Sequence, residues 1–191
     1  MIEKKKRKEN NTIKVAGIQM ASSPSVTSNL IEAERLVKMA VEAGAKLVVL
    51  PEYFAIMGIH DSDKVKVRED EGDGPIQRFL SKIAKKHKIW LIGGTVPLVS
   101  NSVKKVRNSC LVYNDKGKQM ARYDKIHLFG LDLATEQYHE KKTIEAGNEV
   151  VVVDTPYGKI GLSACYDLRF PELYRAMGEV DMIVVPSAFT E

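Results

Sequence analysis

Cysteine is scarce in this chain. Only Cys110 and Cys165 occur in 191 residues, too few for a disulfide framework, and such use points to a reducing compartment, with the cytoplasm the expected location. Long apolar runs are missing as well. Stretches such as Lys46–Leu50 and Val150–Val153 are strand-length, far short of the ~20 residues a membrane span needs. A soluble chain with no membrane contact is expected. The four histidines, His60, His87, His127 and His139, have no close ligand spacing, which argues against a zinc site or any other metal site. Gly93-Gly94-Thr95 lacks the rest of a phosphate-binding fingerprint and reads as a tight turn, and no cofactor is expected. No repeat or low-complexity linker divides the chain, and its length suits one sizeable core.

Charge is nearly balanced once the first residues are set aside. Met1–Asn11 carries Lys4, Lys5, Lys6, Arg7 and Lys8 against Glu3 and Glu9, most of the formal net charge of +4. No apolar stretch or small-residue cleavage site follows, so this arm does not read as a secretory signal. Short basic termini are more often solvated than bound to nucleic acid. Residues 1–11 are therefore assigned as a disordered basic tail with no nucleic-acid partner, and residues 12–191 as the folded domain.

Ile13–Met20 is an apolar, β-branched run before Ser22-Ser23-Pro24, which marks a first strand, expected to be central and buried. Asn29 with Glu32 three residues on forms a capping pair. Leu30, Ala33, Val37, Ala40 and Val41 then trace one helix face, closed by Gly44. The helix leads to a second strand at Lys46–Leu50, and this order favours parallel pairing of the two strands. Pro75 suits a first helical position, and Ile76, Phe79, Leu80, Ile83 and Ala84 follow at helical spacing. Ile89–Thr95 reads as a further buried strand. Asn108–Tyr113 and Lys118–Tyr123 flank a turn containing Gly117, and Val150–Thr155 and Lys159–Ser163 flank Tyr157-Gly158, giving two hairpins. A short helix over Pro171–Gly178 and a strand over Met182–Val185 complete an alternating α/β pattern. A last strand with no helix to cover it reads as an unfinished fold.

Three residues at strand ends could carry chemistry. Cys165 lies where an apolar strand gives way to a polar turn, a place that exposes a side chain on a rigid support; local context alone favours a small core thiol over a nucleophile. Glu52 follows Leu47–Pro51 at the carboxyl end of a buried strand, where α/β sheets tend to place ligand crevices, and burial would raise its pKa toward that of a general base. Lys125 closes another strand. Taken singly, the last two read as a loop carboxylate and a surface charge. Cys110, in an alternating strand, reads as core. Asp167, Arg169 and Glu172 read as ion-pairing supports of the turn around Cys165, and His127 as a structural histidine.

Together the three segments resemble the nitrilase, or carbon–nitrogen hydrolase, superfamily. Leu50-Pro51-Glu52-Tyr53-Phe54 matches its first motif, Tyr123-Asp124-Lys125-Ile126-His127-Leu128-Phe129 its second, and Cys165-Tyr166-Asp167-Leu168-Arg169-Phe170-Pro171-Glu172 its third, in the family's order. The resemblance implies Cys165 as nucleophile, Glu52 as general base and Lys125 as the cation beside the tetrahedral intermediate. It implies an oxyanion site shared by Lys125 and the backbone N–H of Tyr166. A fourth family residue, a glutamate shortly after the lysine, matches Glu140, with Glu136 and Glu145 nearby. In this reading the Lys125 ammonium favours the Cys165 thiolate while Glu52 accepts its proton.

The implied fold is a four-layer α-β-β-α sandwich, lacking here its C-terminal part and usually assembled as a homodimer. The implied activity is hydrolysis of a small-molecule amide to acid and ammonia through a thioester. The third motif looks most like the branch acting on deaminated glutathione, with ω-amides of α-keto acids as the alternative. A second alternative is a truncated, non-catalytic chain that binds a full-length relative.

Overall fold

The computed structural model describes residues 12–132 and 137–189. The assigned basic tail, Glu136 and the last two residues lie outside them. The strands are β1 (Lys14–Gly17), β2 (Ala45–Val49), β3 (Trp90–Ile92), β4 (Val96–Val99), β5 (Val106–Tyr113), β6 (Gln119–Asp124), β7 (Gly130–Asp132), β8 (Gln137–His139), β9 (Val152–Thr155), β10 (Gly158–Leu162) and β11 (Met182–Val184). The helices are α1 (Val26–Glu42), α2 (Asp63–Lys66), α3 (Pro75–His87) and α4 (Pro171–Ala176). Single 3-10 turns cover Glu140–Lys142 and Cys165–Arg169.

A larger sheet runs β1-β2-β3-β5-β4 with β6 paired to β5, and a smaller one runs β11-β10-β9. Strands β2 and β3 and the Cys110–Tyr113 half of β5 are apolar at nearly every position because both of their faces are covered. Leu91, Leu111 and Tyr113 point toward Ala33 and Val37 of α1 and Ile76, Leu80 and Ile83 of α3. The alternate residues Trp90, Ile92, Cys110 and Val112 point the other way, onto Val153, Ile160, Leu162 and Val184 of the smaller sheet. Helix α4 lies on the far side of that sheet. A Cβ added to Gly161 would meet the Met177 sulfur at 2.5 Å, so this strand can carry no side chain there. The order is helices, sheet, sheet, helix, the expected four layers.

Both expected hairpins form, β5–β6 and β9–β10, each antiparallel. Strands β1 and β2 pair in parallel, as expected. Three expectations fail. Strand β1 lies at the edge of its sheet, paired with β2 alone among the described residues, and is largely exposed. The cap of α1 is Ser25, whose Oγ accepts from the Ser28 N–H at 3.3 Å; Asn29 is buried inside the first turn. Its Nδ2 donates to the Ala55 carbonyl at 2.9 Å, fastening α1 to the segment that follows Glu52. The apolar stretch Ile89–Thr95 is not one strand, because Gly93 and Gly94 break it and β4 continues beyond.

Gly94 explains that break. Its φ is +47°, and an added Cβ would stand 2.0 Å from the Pro51 carbonyl oxygen. Only a residue without a side chain lets β3 and its exit turn come this close to the Pro51-Glu52 peptide. The turn reading of Gly93-Gly94-Thr95 therefore holds, and it serves the placement of Glu52.

Candidate active site

The chain's motifs converge at the carboxyl ends of β2, β6 and β10. Glu52 lies in the turn after β2, Lys125 directly after β6, Glu140 in its 3-10 turn and Cys165 three residues past β10. All four are buried, with exposures of 2%, 1%, 3% and 7%. Lys125 Nζ donates to Glu52 Oε1 and to Glu140 Oε1, each at 2.9 Å. One ammonium thus bridges two carboxylates, and each of these is held by further donors. Asn108 Nδ2 donates to Glu52 Oε1 at 3.0 Å and the Ala188 N–H to Glu52 Oε2 at 3.1 Å. The Tyr53 hydroxyl donates to Glu140 Oε1 and the Phe129 N–H to Glu140 Oε2, both at 2.7 Å. Buried charges need such partners, since an unpaired one loses several kcal/mol of hydration.

The Cys165 thiol lies where the charges of Glu52 and Lys125 both act on it. Burial pushes this thiol up to about 12, the nearby Glu52 charge pushes the same way, and Lys125 pulls only partly against them. The expected resting thiolate is thereby corrected: the sulfur is held as a thiol, next to a base. Glu52 itself is raised, first by burial and then by Glu140, with Lys125 opposing. Lys125 is raised although its burial acts downward, because Glu52 and Glu140 outweigh that effect.

Cys165 has a φ of +47°, a conformation that a side chain disfavours, and it turns the chain from β10 into the Cys165–Arg169 turn. Asp167 holds that turn. Its Oδ2 accepts from the Ala164 N–H at 2.9 Å and from the Tyr123 hydroxyl at 2.6 Å. Its Oδ1 meets the His127 N–H at 2.9 Å and His127 Nδ1 at 2.7 Å. One fully buried carboxylate thus joins the cysteine turn to the segment carrying Lys125. The structural readings of Asp167 and His127 hold, whereas Glu172 pairs with Arg175 on the surface and not with the turn. Replacing Asp167 with asparagine should lower stability by about 2–3 kcal/mol, since it removes a charged acceptor of several bonds. An unchanged urea midpoint would mean the hub carries no load.

Cys110 is fully buried in the core, as expected. Glu145, one of the alternatives to Glu140, pairs instead with Arg107. Above the site, Phe129, Tyr138, Tyr166 and Phe170 form a chain of aromatic contacts, with His127 stacked on Phe170 at 3.7 Å between centroids. Two further side chains complete the site. Asn108 is a buried amide on β5 between Arg107 and Ser109, and a buried amide needs a partner, the one signal the sequence offers for it. Tyr53 stands next to Glu52 in its motif, but only the folded chain brings its hydroxyl to Glu140. No group of three or more potential metal ligands occurs among the described residues, and no helix among them is long and apolar enough to cross a membrane.

The profile of the carbon–nitrogen hydrolase family matches residues 14–189. A deaminated glutathione amidase of Yersinia enterocolitica is 34% identical over 182 residues, covering 93% of this chain and 63% of that protein. An omega-amidase, NIT3, of Saccharomyces cerevisiae is 36% identical over 188 residues, covering 93% and 64%. The crystal structure of the yeast protein Nit3, described as a member of branch 10 of the nitrilase superfamily, superposes with a TM-score of 0.81 at 34% identity, covering 93% of this chain and 65% of that one. The NitFhit protein of C. elegans gives 0.82 at 33% identity, covering 92% and 44%. The chain spans a little under two thirds of the length of the two curated relatives.

Proposed function

From the premise that this chain belongs to the carbon–nitrogen hydrolase family of the nitrilase superfamily, we propose that it hydrolyses a small linear amide to the acid and ammonia or an amine, with Cys165 as nucleophile. The observation that carries this reading is one base, Glu52, bonded to a buried ammonium and acting electrostatically on a buried thiol. Deaminated glutathione is the first choice of substrate, by similarity to the amidases bearing that name, and ω-amides of α-keto acids are the alternative.

The chemistry proceeds in two halves. Glu52 takes the thiol proton as the sulfur attacks the amide carbon, and the electron pair of the C=O moves onto oxygen. Lys125 Nζ and the Tyr166 N–H receive that oxyanion; one well-placed donor contributes about 2.7–4 kcal/mol. The C–N bond then breaks, Glu52 returns its proton to the departing nitrogen, and ammonia from an ω-amide, or the cysteinylglycine amine from deaminated glutathione, leaves a thioester on Cys165. Water, deprotonated by Glu52, attacks the thioester and releases the acid with the thiol restored. Glu140 holds Lys125 in place throughout.

We assign residues 12–191 to one hydrolase domain and place the protein in the cytoplasm, on the strength of two unpaired thiols. A homodimer is proposed by similarity to the family's usual assembly, with its contact on the helix face near Cys165. The reaction is tested by incubating the chain with an ω-amide, measuring ammonia and quenching in acid for peptide mass spectrometry. Ammonia together with an acyl adduct on the Cys165 peptide is expected. No ammonia, or ammonia without an adduct at Cys165, overturns the proposal and leaves the non-catalytic reading.

A further inference from the structure

Between β2 and α3 the chain makes a built loop whose lysine faces the site. Met57 is tied by its N–H to the Ser23 carbonyl at 3.1 Å, and the Asp63 N–H bonds the His60 carbonyl at 2.9 Å. Asp63 Oδ2 accepts from the His60 N–H at 2.9 Å, and Gly58 lies so close that an added Cβ would meet the Asp63 Cβ at 2.7 Å. These contacts fix α2, and α2 carries Lys64. The Lys64 Nζ stands 5.2 Å from the centroid of the Tyr53 ring, and the hydroxyl of that ring bonds Glu140. Lys64 is therefore one aromatic ring away from the buried triad.

No carboxylate among the described residues pairs with Lys64. Asp63 is taken by Lys66 at 2.7 Å, and Glu52 and Glu140 are taken by Lys125. Asp61, Glu140 and Glu52 contribute only a long-range field at Lys64, and burial holds its ammonium below the ordinary lysine value. A half-buried cation with only an aromatic face beside it is deficient in counter-charge, and the cation–π contact leaves its N–H donors free.

We infer that Lys64 is a specificity-determining residue that binds a carboxylate of the substrate, several carbons from the amide under attack, so that the site selects amides of dicarboxylic acids over neutral amides of equal length. This rests on the amide-hydrolase reading for the position of the scissile bond. The carboxylate would sit over Tyr53 with its amide end at Cys165. Anchoring the far end would hold the amide carbon against the sulfur, the use to which remote binding contacts are put in catalysis.

Binding and turnover can be read apart. In a Cys165→Ala background, which cannot form the thioester, calorimetric titration compares the ω-amide of a five-carbon α-keto acid with pentanamide, its neutral counterpart. The acid should bind at least about 10-fold more tightly, a charge-assisted hydrogen bond being equivalent to about 10- to 100-fold. Adding Lys64→Met should abolish the preference while leaving pentanamide unaffected, and Lys64→Arg should retain most of it. Equal weakening of both ligands in Lys64→Met, an undiminished preference, or no binding of the acid by the Cys165→Ala chain overturns the inference. Ammonia release is measured separately with Cys165 in place; a chain that binds the acid selectively without releasing ammonia removes the amidase reading and keeps the role of Lys64.

Discussion

Replacing Lys125 with methionine should destabilise the fold by about 3–5 kcal/mol at neutral pH, the usual effect of removing one partner from a buried ion pair. The ammonium is the bridge between Glu52 and Glu140, and both carboxylates are at least 95% hidden from solvent. Without it two negative charges share one apolar site. The pH dependence follows from the direction in which Glu52 is already displaced. Its folded pKa is raised above the unfolded value by burial and by Glu140, and losing Lys125 removes the main opposing influence. A raised carboxyl favours folding when protonated, so the variant should be least impaired below the unfolded value. Its deficit against the parent should widen as pH climbs through the folded value. Urea midpoints at pH 5 and pH 7 read this directly. A deficit of equal size at both values would mean that lost packing, and not uncompensated charge, accounts for the loss. Adding Glu140→Gln should restore part of the stability at pH 7, since it removes one of the two orphaned charges.

Glu52→Gln should slow alkylation of Cys165 by iodoacetamide about 100-fold or more near neutral pH, in line with the usual contribution of a positioned general base. Both thiols are pushed up to about 12 by burial, so neither is ionised at rest. The two differ in access and in company. Cys110 is fully buried and shifted by burial alone, while Cys165 is 7% exposed and feels the Glu52 charge. In the parent chain the labelling rate should rise with pH as Glu52 ionises through its raised value, and then level off until the thiol itself ionises far into alkaline solution. The glutamine variant should lack the first rise. Cys110 should stay unlabelled in the folded protein throughout. Equal rates for the two cysteines, or a parent profile with a single rise near pH 12, would sink the assignment of Glu52 as the base that serves this thiol.

How much of this was visible beforehand depends on the range of the forces involved. The segments around Glu52, Lys125 and Cys165 could be read because each ends an apolar strand, and strand ends are encoded locally. The β5–β6 and β9–β10 hairpins were legible for the same reason, each marked by a turn with glycine. The edge position of β1 was not, because an apolar run of that length looks alike whether one neighbour covers it or two. Ser25 outcompeted Asn29 for the helix cap because Asn29 is drawn inward by the Ala55 carbonyl, a contact 26 residues away. The bonds of Asn108 to Glu52 and of Tyr53 to Glu140 span 56 and 87 residues. No local pattern encodes such distances. The lysine's pull on the thiol is legible in the motif, whereas the depth of burial that outweighs it is not.

The two sheets divide the site between them. Glu52 and Lys125 are borne by strands of the larger sheet, and all strands of that sheet lie before residue 125; Cys165 follows β10 of the smaller one. A chain emerging from the ribosome N-terminus first can therefore pair its larger sheet while the sulfur is still unmade or in the exit tunnel. Until the second sheet docks, Cys165 is an ordinary thiol with no base at hand. The division thus works as a timer, arming the nucleophile only when the second sheet docks.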